Sequence, residues 1–169
     1  MINVVLYEPE IPMNTGNIMR TCAGTDVMLH LIEPLGFSLD EKSIKRSGAN
    51  YVDKCEYKVY KNFDEFKAQN PGKYYFLTRY GNKTYTEFDY SNKDENIYFV
   101  FGKESTGIPL EILKPNFETC LRVPTNTKIL ALNLSNTVAL VVYEALRQQQ
   151  FDGLEFYDNF KGKDYIQKN

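Results

Sequence analysis

The segment NVVLYEPEIPMNTGNIMR, residues 3–20, joins a short apolar run to the start of a helix. The run NVVLYE predicts a buried strand, because its centre is continuously apolar. In the following motif NTGNIMR, Asn14 or Thr15 would cap the helix by accepting hydrogen bonds from the unpaired amides of its first turn. Capping does not explain Arg20, so a functional interpretation of this motif stays open beside the structural one.

Apolar, strand-like runs alternate with helix-like segments along the rest of the chain. The predicted strands lie at residues 3–8, 28–33, 74–78, 97–102 and 119–124. The predicted helices lie at residues 16–24, 38–47, 63–69, 110–113 and 134–150. This alternation predicts an α/β fold, with a mainly parallel sheet and helices on both of its faces. The last helix is apolar almost all round, so we expect it to be buried in the fold or in a subunit interface.

Length and charge limit the domain organisation and the kinds of partner. The 169 residues suit one domain, which we expect at residues 1–155, followed by a polar tail at 156–169. The net charge of −2 gives no overall positive field, so an RNA partner would need a local basic patch. Lys42, Lys45 and Arg46 lie about one helical turn apart and would form that patch, unless they only cover a solvated face.

Cysteine and histidine usage excludes several classes of site. The three cysteines form no CxxC pair, which disfavours a metal site, and their odd number fits a reducing cytosol. The chain opens without a signal-like segment, and polar residues interrupt its longest apolar run near the C-terminus, so we expect a cytoplasmic protein without a membrane span. The single histidine, His30, alternates with apolar residues in a predicted strand. This favours a hydrogen-bonded structural histidine and disfavours Ser-His and Cys-His hydrolases.

Three loops rich in glycine, proline and amide side chains follow predicted strands. They contain the sequences EPEIPMNTGNIMR (8–20), FVFGKESTGIP (99–109) and LRVPTNTKILALNLSN (121–136). Because ligands of open parallel sheets bind at the carboxyl ends of the strands, these loops are the predicted site. None contains the GxGxxG fingerprint of dinucleotide-binding proteins. The sequence GKEST lacks the first glycine of a P-loop, since residue 97 is isoleucine.

Together, these motifs resemble a known family. NTGNIMR (14–20), FVFGKESTGIP (99–109) and LRVPTNTKILALNLSNTVALVVYEALR (121–147) are similar to the three ordered motifs of the SpoU branch of the SPOUT RNA methyltransferases. They most resemble the short, single-domain tRNA 2′-O-methyltransferases that act on the wobble nucleotide. The resemblance implies a SPOUT fold with a deep C-terminal trefoil knot and S-adenosylmethionine as cofactor. It also implies methylation of the ribose at position 34 in the anticodon stem-loop of tRNA.

Matching the motifs residue by residue implies a set of site residues. The implied cofactor contacts are Leu77, Thr78, Gly102, Val123, Pro124, Ala131 and Leu132, with Ala131 standing where the family has a serine. The implied catalytic residues are Arg20, Asn14, Glu104, Asn133 and Ser135. Glu104 would hold Arg20 or meet the positive charge of the cofactor. The RNA would be bound by Arg20, Lys45, Arg46 and Tyr143.

The role of Arg20 has two interpretations. The family resemblance implies a catalytic base, but a guanidinium is protonated at ordinary pH and offers only hydrogen-bond donors. We therefore favour a clamp that binds a substrate phosphate and stabilises negative charge on the ribose oxygen. A homodimer through the last helix is also expected. Two alternatives to a wobble methyltransferase stay open: an rRNA 2′-O-methyltransferase of the same branch, or a non-catalytic module that binds adenosyl groups or RNA.

Overall fold

The sheet is entirely parallel in the computed structural model, which describes residues 1–40 and 52–169. Its strands, within those residues, are β1 (Ile2–Tyr7), β2 (Met28–Ile32), β3 (Tyr57–Tyr60), β4 (Lys73–Leu77), β5 (Lys83–Thr84), β6 (Ile97–Phe101) and β7 (Cys120–Arg122). They lie in the order β3-β2-β1-β6-β4-β7-β5, and each neighbouring pair is parallel. The mainly parallel sheet predicted from the apolar runs is confirmed.

Helices cover both faces of this sheet. In the described ranges the helices are α1 (Pro12–Thr25), α2 (Phe63–Gln69), α3 (Leu110–Leu113), α4 (Leu134–Gln148) and α5 (Tyr165–Lys168), and short 3-10 turns lie at Val52–Lys54 and Lys114–Thr119. Successive residues of a strand point to opposite faces. Val4 accordingly packs in the core beneath α1 and α4, whereas its neighbour Val5 packs in the core beneath α2 and α3. Two apolar layers thus hold helices α1 to α4 on the sheet.

The boundaries of several elements differ from those predicted. Strands β3 and β5 were not predicted, because β3 is a largely exposed edge strand and β5 has two residues. Helix α1 begins at Pro12 rather than at residue 16, since proline is compatible with the first turn of a helix. Of the predicted helix at 38–47, residues 38–40 are not helical and the rest, with Lys45 and Arg46, lies outside the described residues.

His30 is a structural residue, as predicted. It is buried in β2, with Nε2 3.1 Å from the Asn3 Oδ1 and Nδ1 2.9 Å from the Tyr60 hydroxyl. The Asn3 amide nitrogen already donates to the carbonyls of Met1 and Ile97, so Oδ1 accepts from Nε2–H and leaves Nδ1 to accept from Tyr60. Burial lowers the pKa of His30 to about 4, so the ring is neutral.

Helix α4 is covered by the chain itself on one side only. Its residues Val138, Val141, Val142, Ala145 and Leu146 are buried. On its other side Leu140 is 41% exposed and Tyr143 is 48% exposed. Beyond α4, every residue of 155–169 except Asp164 is exposed. In the described part of the chain, no helix has both the length and the apolar character needed to span a membrane.

Candidate active site

The three predicted loops meet at the carboxyl ends of the strands and enclose a cleft of about 700 Å³. They meet there because parallel strands end on the same side. Leu77 ends β4 at the cleft and residues 78–80 follow it, residues 102–107 follow β6, and Arg122 and Val123 lie at the end of β7. The lining is completed by Ile11 and Asn14 from the first loop and α1, and by Phe101, Ile108, residues 130–134 and Thr137. A volume of this size is typical of a site for a small molecule.

Glu104 fixes the start of α1 from a different loop. Its Oε2 accepts from the Glu10 amide at 2.9 Å, and its Oε1 accepts from the Ile11 amide at 3.2 Å and from Asn14 Nδ2 at 3.1 Å. Ile11, the residue before the helix, provides no side-chain cap. The carboxylate therefore holds the two backbone amides that precede the helix, with its negative charge at the positive end of the helix dipole. The prediction that Asn14 or Thr15 caps α1 is wrong.

Asn14 continues this network into the third motif. Its Oδ1 accepts from Asn133 Nδ2 at 3.0 Å. The Oδ1 of Asn133 in turn accepts from the Ser135 amide at 2.9 Å and from its hydroxyl at 2.7 Å, which caps the start of α4. A single hydrogen-bonded chain thus joins Glu104, Asn14, Asn133 and Ser135. These are four of the five predicted catalytic residues, and they come from all three motifs.

A second glutamate in the first loop was missed by the sequence analysis. The carboxylate of Glu10 accepts from the Ser105 amide at 2.9 Å and from the Ser105 hydroxyl at 2.8 Å, and these bonds lower the pKa of Glu10. Glu104 and Glu10 therefore each bind the backbone of the loop that carries the other. An ion pair between Lys103 and Glu8 adds a further link. Two acidic residues flanking Pro9 were the available signal, but their partners depend on which loops meet.

Most of the predicted cofactor contacts line the cleft. These are Leu77, Thr78, Gly102, Val123, Ala131 and Leu132. Pro124 is exposed and does not line it. A Cβ on Gly102 would lie 2.3 Å from the Ile108 nitrogen, so the glycine is required by the loop that folds back on itself rather than by an approaching ligand.

The described residues fit an adenosyl cofactor. Leu77, Phe101, Val123 and Leu132 give the cleft apolar walls, as an adenine ring requires, and backbone groups of the loops can bind its edge. The Nε of Arg122, also in the lining, is buried and has no hydrogen-bond partner among the described residues. In the same described ranges, no cluster of three or more His, Cys, Asp or Glu side chains could hold a metal ion.

Two of the four predicted RNA-binding residues lie within the described part of the chain, and both lie away from the cleft. Arg20 is exposed on α1 and is not part of the lining, and Tyr143 lies on the exposed side of α4. Arg79 and Tyr80, which belong to none of the three sequence motifs, also lie at the cleft. Arg79 stacks on the Tyr80 ring, with the guanidinium carbon 4.7 Å from the ring centre.

Comparison with known proteins agrees with this geometry. The model of the SpoU rRNA Methylase family matches residues 1–143, which include all of the cleft. The chain belongs to the SpoU methylase family. A SpoU relative from Listeria innocua is 52% identical over 162 residues, which cover 95% of this chain and 96% of the relative's sequence. Another, from Saccharophagus degradans, is named tRNA (cytidine(34)-2'-O)-methyltransferase and is 45% identical over 155 residues, 90% of this chain and 99% of its own.

Solved SpoU structures share the fold. A structure described as giving insight into 2-OH methylation of C/U34 on tRNA is 35% identical, with a TM-score of 0.81 over 89% of this chain and 97% of its own. An AdoMet-bound rRNA methyltransferase from Sinorhizobium meliloti is 21% identical, with a TM-score of 0.75 over 86% of this chain and 56% of its own. The SPOUT fold predicted from the motifs is thereby confirmed, while the trefoil knot stays a prediction.

Proposed function

We propose that this SpoU methylase transfers a methyl group from S-adenosylmethionine to the ribose 2′-hydroxyl of the wobble nucleotide of tRNA. The observation that carries the proposal is the similarity to the Saccharophagus degradans enzyme, which extends over 99% of that enzyme's length. Position 34 of tRNA is the substrate in its name. The hydrogen-bonded chain through Glu104, Asn14 and Asn133 supports a catalytic role, because it holds the three motif loops in one arrangement.

The cleft and its charged residues support this reaction. Bound S-adenosylmethionine supplies a methyl group on a positively charged sulfur. Leu77, Val123 and Leu132 would hold the adenosyl group, and the Glu104 carboxylate gives the cleft a negative charge suited to the sulfonium. The amides of Asn14 and Asn133 would orient the ribose so that its 2′-hydroxyl faces the bound cofactor. Arg20 lies outside the lining of the cleft, so it would bind an RNA phosphate and fix the position of the ribose through that phosphate.

Two further proposals concern the surroundings of the site. A homodimer through the exposed side of α4 would extend the small surface that one chain offers to a folded tRNA. Leu140 and Tyr143 supply an apolar surface for it. A cytoplasmic location, where tRNA is available and thiols stay reduced, is consistent with the free cysteines Cys22, Cys55 and Cys120.

The function is tested with a synthetic anticodon stem-loop. Purified protein, labelled S-adenosylmethionine and a stem-loop with cytidine at the wobble position should yield 2′-O-methylcytidine, identified by mass spectrometry of the nucleosides. The control is the same stem-loop with 2′-deoxycytidine at that position, which lacks the accepting hydroxyl and should take up no label. Methylation of the deoxy control, or of ribosomal RNA alone, would contradict the proposed substrate.

The clamp role of Arg20 has a test of its own. Arg20→Lys keeps the positive charge but loses the two-pronged donor, so single-turnover methylation should fall by a constant factor between pH 6 and 10. Loss of one such donor in other enzymes slows the reaction by about a hundred- to a thousandfold. Arg20→Ala should be slower still, with an unchanged affinity for S-adenosylmethionine. A rate that rises steeply with pH only in the lysine variant would instead identify Arg20 as the base.

A further inference from the structure

Arg122 carries a buried donor that the fold does not satisfy. Its backbone is fixed at the end of β7, where residues Lys83 and Thr84 of β5 pair with the strand and the Tyr85 amide donates to the Arg122 carbonyl at 3.1 Å. The side chain lies in the cleft lining, and its Nε is buried without a hydrogen-bond partner in the described part of the chain. Leaving a charged donor unpaired is costly, so native proteins rarely retain one without a ligand or a function.

The other charged side chains of the cleft are already engaged. Among the described lining residues these are Arg79, Lys103 and Glu104. Arg79 stacks on Tyr80 and donates to its hydroxyl at 2.5 Å. Lys103 is paired with Glu8, and Glu104 binds the loop before α1. Arg122 is therefore the cation of this lining that is best able to take up an anionic group.

We propose that Arg122 binds the carboxylate of the methionine part of S-adenosylmethionine; this rests on the proposed function. A guanidinium presents parallel donors that match a carboxylate, and that carboxylate is the single anionic group of the cofactor. The pairing also gives Glu104 and Arg122 complementary tasks. The acidic residue suits the positive sulfonium and ammonium, whereas the basic residue suits the negative end of the same ligand.

Burial favours the cofactor over an RNA phosphate as the partner of Arg122. The Nε lies in a wall that also contains Leu77, Val123 and Leu132, whereas Arg20 and Tyr143 are exposed outside the cleft. A small molecule that fills the cleft can reach such a wall. A phosphate within a polynucleotide is attached to nucleotides on both sides, so it cannot reach such a wall by itself. It is therefore better suited to exposed cations.

The test compares two cofactors that differ in the carboxylate alone. The wild-type protein is titrated calorimetrically with S-adenosylmethionine and, separately, with decarboxylated S-adenosylmethionine. Its affinity for S-adenosylmethionine should be about ten- to a hundredfold higher, as expected for hydrogen bonds to a charged group. Arg122→Met keeps the length of the side chain and should abolish the preference by weakening only the carboxylated ligand. Arg122→Lys should retain part of it. The matched control, Arg79→Met, removes a different arginine of the same cleft and should keep the full preference.

Each result separates the inference from the function on which it rests. A wild-type protein that binds neither cofactor would overturn the proposed function together with the role of Arg122. If the wild type binds S-adenosylmethionine but a folded Arg122→Met protein keeps the preference, only the role of Arg122 is overturned. The role of Arg122 is also overturned if Arg79→Met loses the preference. The same holds if the only effect of Arg122→Met is weaker binding of a stem-loop RNA. If thermal unfolding shows that Arg122→Met does not fold, the Arg122→Lys protein is used instead. A preference in that protein as large as in the wild type then overturns the inference.

Discussion

At the scale of single residues, the neutral amide of Asn14 links the loop of Glu104 to that of Asn133. One substitution can test whether this side chain must be neutral. Asn14→Asp keeps the shape of the side chain but places a carboxylate where Nδ2 now donates to Glu104 at 3.1 Å. We expect the variant to lose on the order of 1–3 kcal/mol of unfolding free energy at pH 8, because a donor is lost and two carboxylates face each other. The loss should shrink as the pH falls to 5, because protonation of either facing carboxyl removes the repulsion.

The matched control for this variant lies on the same helix. Asn17 is exposed on α1, so Asn17→Asp adds the same charge without facing Glu104. Its unfolding free energy, measured with urea at both values of pH, should stay close to that of the wild type. An Asn14→Asp protein as stable as the Asn17→Asp control at pH 8 would contradict the bond between Asn14 and Glu104.

The sequence predicted which residues form the site better than it predicted their partners. Asn14, Glu104, Asn133 and Ser135 follow from motifs of fixed spacing, and the structure joins them in one network. The partner of Glu104 was not predictable, because it depends on two loops that are about 90 residues apart in the chain meeting in space. The same reason explains why Glu10, with its partner Ser105, was missed.

At the scale of elements, the turn after β6 depends on Gly102. Because a Cβ there would lie 2.3 Å from the Ile108 nitrogen, Gly102→Ala must displace the turn that carries Glu104 and Ser105. We expect a loss of about 1–3 kcal/mol of unfolding free energy and weaker binding of S-adenosylmethionine. Thermal unfolding and calorimetry measure the two effects.

Gly24 provides the control for this glycine. It lies in the last turn of α1, and a Cβ there would meet no atom within 4 Å. Gly24→Ala should therefore leave cofactor binding unchanged and raise the unfolding free energy by up to about 1 kcal/mol. Equal stability of the two alanine variants would show that the turn after β6 adapts without cost.

The polar network around His30 joins β1, β2 and β3 and should make stability depend on pH. The native pKa of about 4 lies below the ordinary value of 6.5, because burial disfavours the charged ring and Lys58 lies nearby. As the pH falls below 6.5, the unfolded chain binds a proton that the native chain does not, so stability falls. Between pH 7 and pH 5 this histidine should account for a loss of about 2 kcal/mol. Urea unfolding of the wild type and of His30→Asn measures it, and equal pH slopes in the two proteins would contradict the prediction.

Elements were predictable where burial dominates the sequence pattern. Strands β1 and β6 lie at the centre of the sheet, and their continuous apolar runs reveal them. Edge strands carry a weaker signal, because solvent accepts polar residues such as Lys58 and Lys83 there. The start of α1 was predicted too late, since no capping side chain marks it in the local sequence and Glu104, which holds the preceding amides, is distant along the chain.

At the scale of the whole molecule, the half-covered α4 leads to a prediction about assembly. Leu140 is 41% exposed on this helix, while five neighbouring apolar side chains of α4 are buried against the rest of the chain. If a second copy covers the exposed side, the protein should sediment at micromolar concentration with twice the monomer mass of 19.6 kDa. Leu140→Glu should then raise the dissociation constant by about thirty- to a thousandfold, because a charge cannot be buried there without a partner.

The control for the dimer lies on the opposite side of the sheet. Leu110 on α3 is 60% exposed, so Leu110→Glu makes the same change of charge on the face away from α4. That variant should sediment like the wild type, whereas Leu140→Glu should shift towards the monomer while its thermal unfolding shows an intact fold. A wild-type protein that sediments as a monomer would rule out the dimer. A dimer that only Leu110→Glu disrupts would move the interface from α4 to α3, and Leu140 would then be a tolerated surface residue.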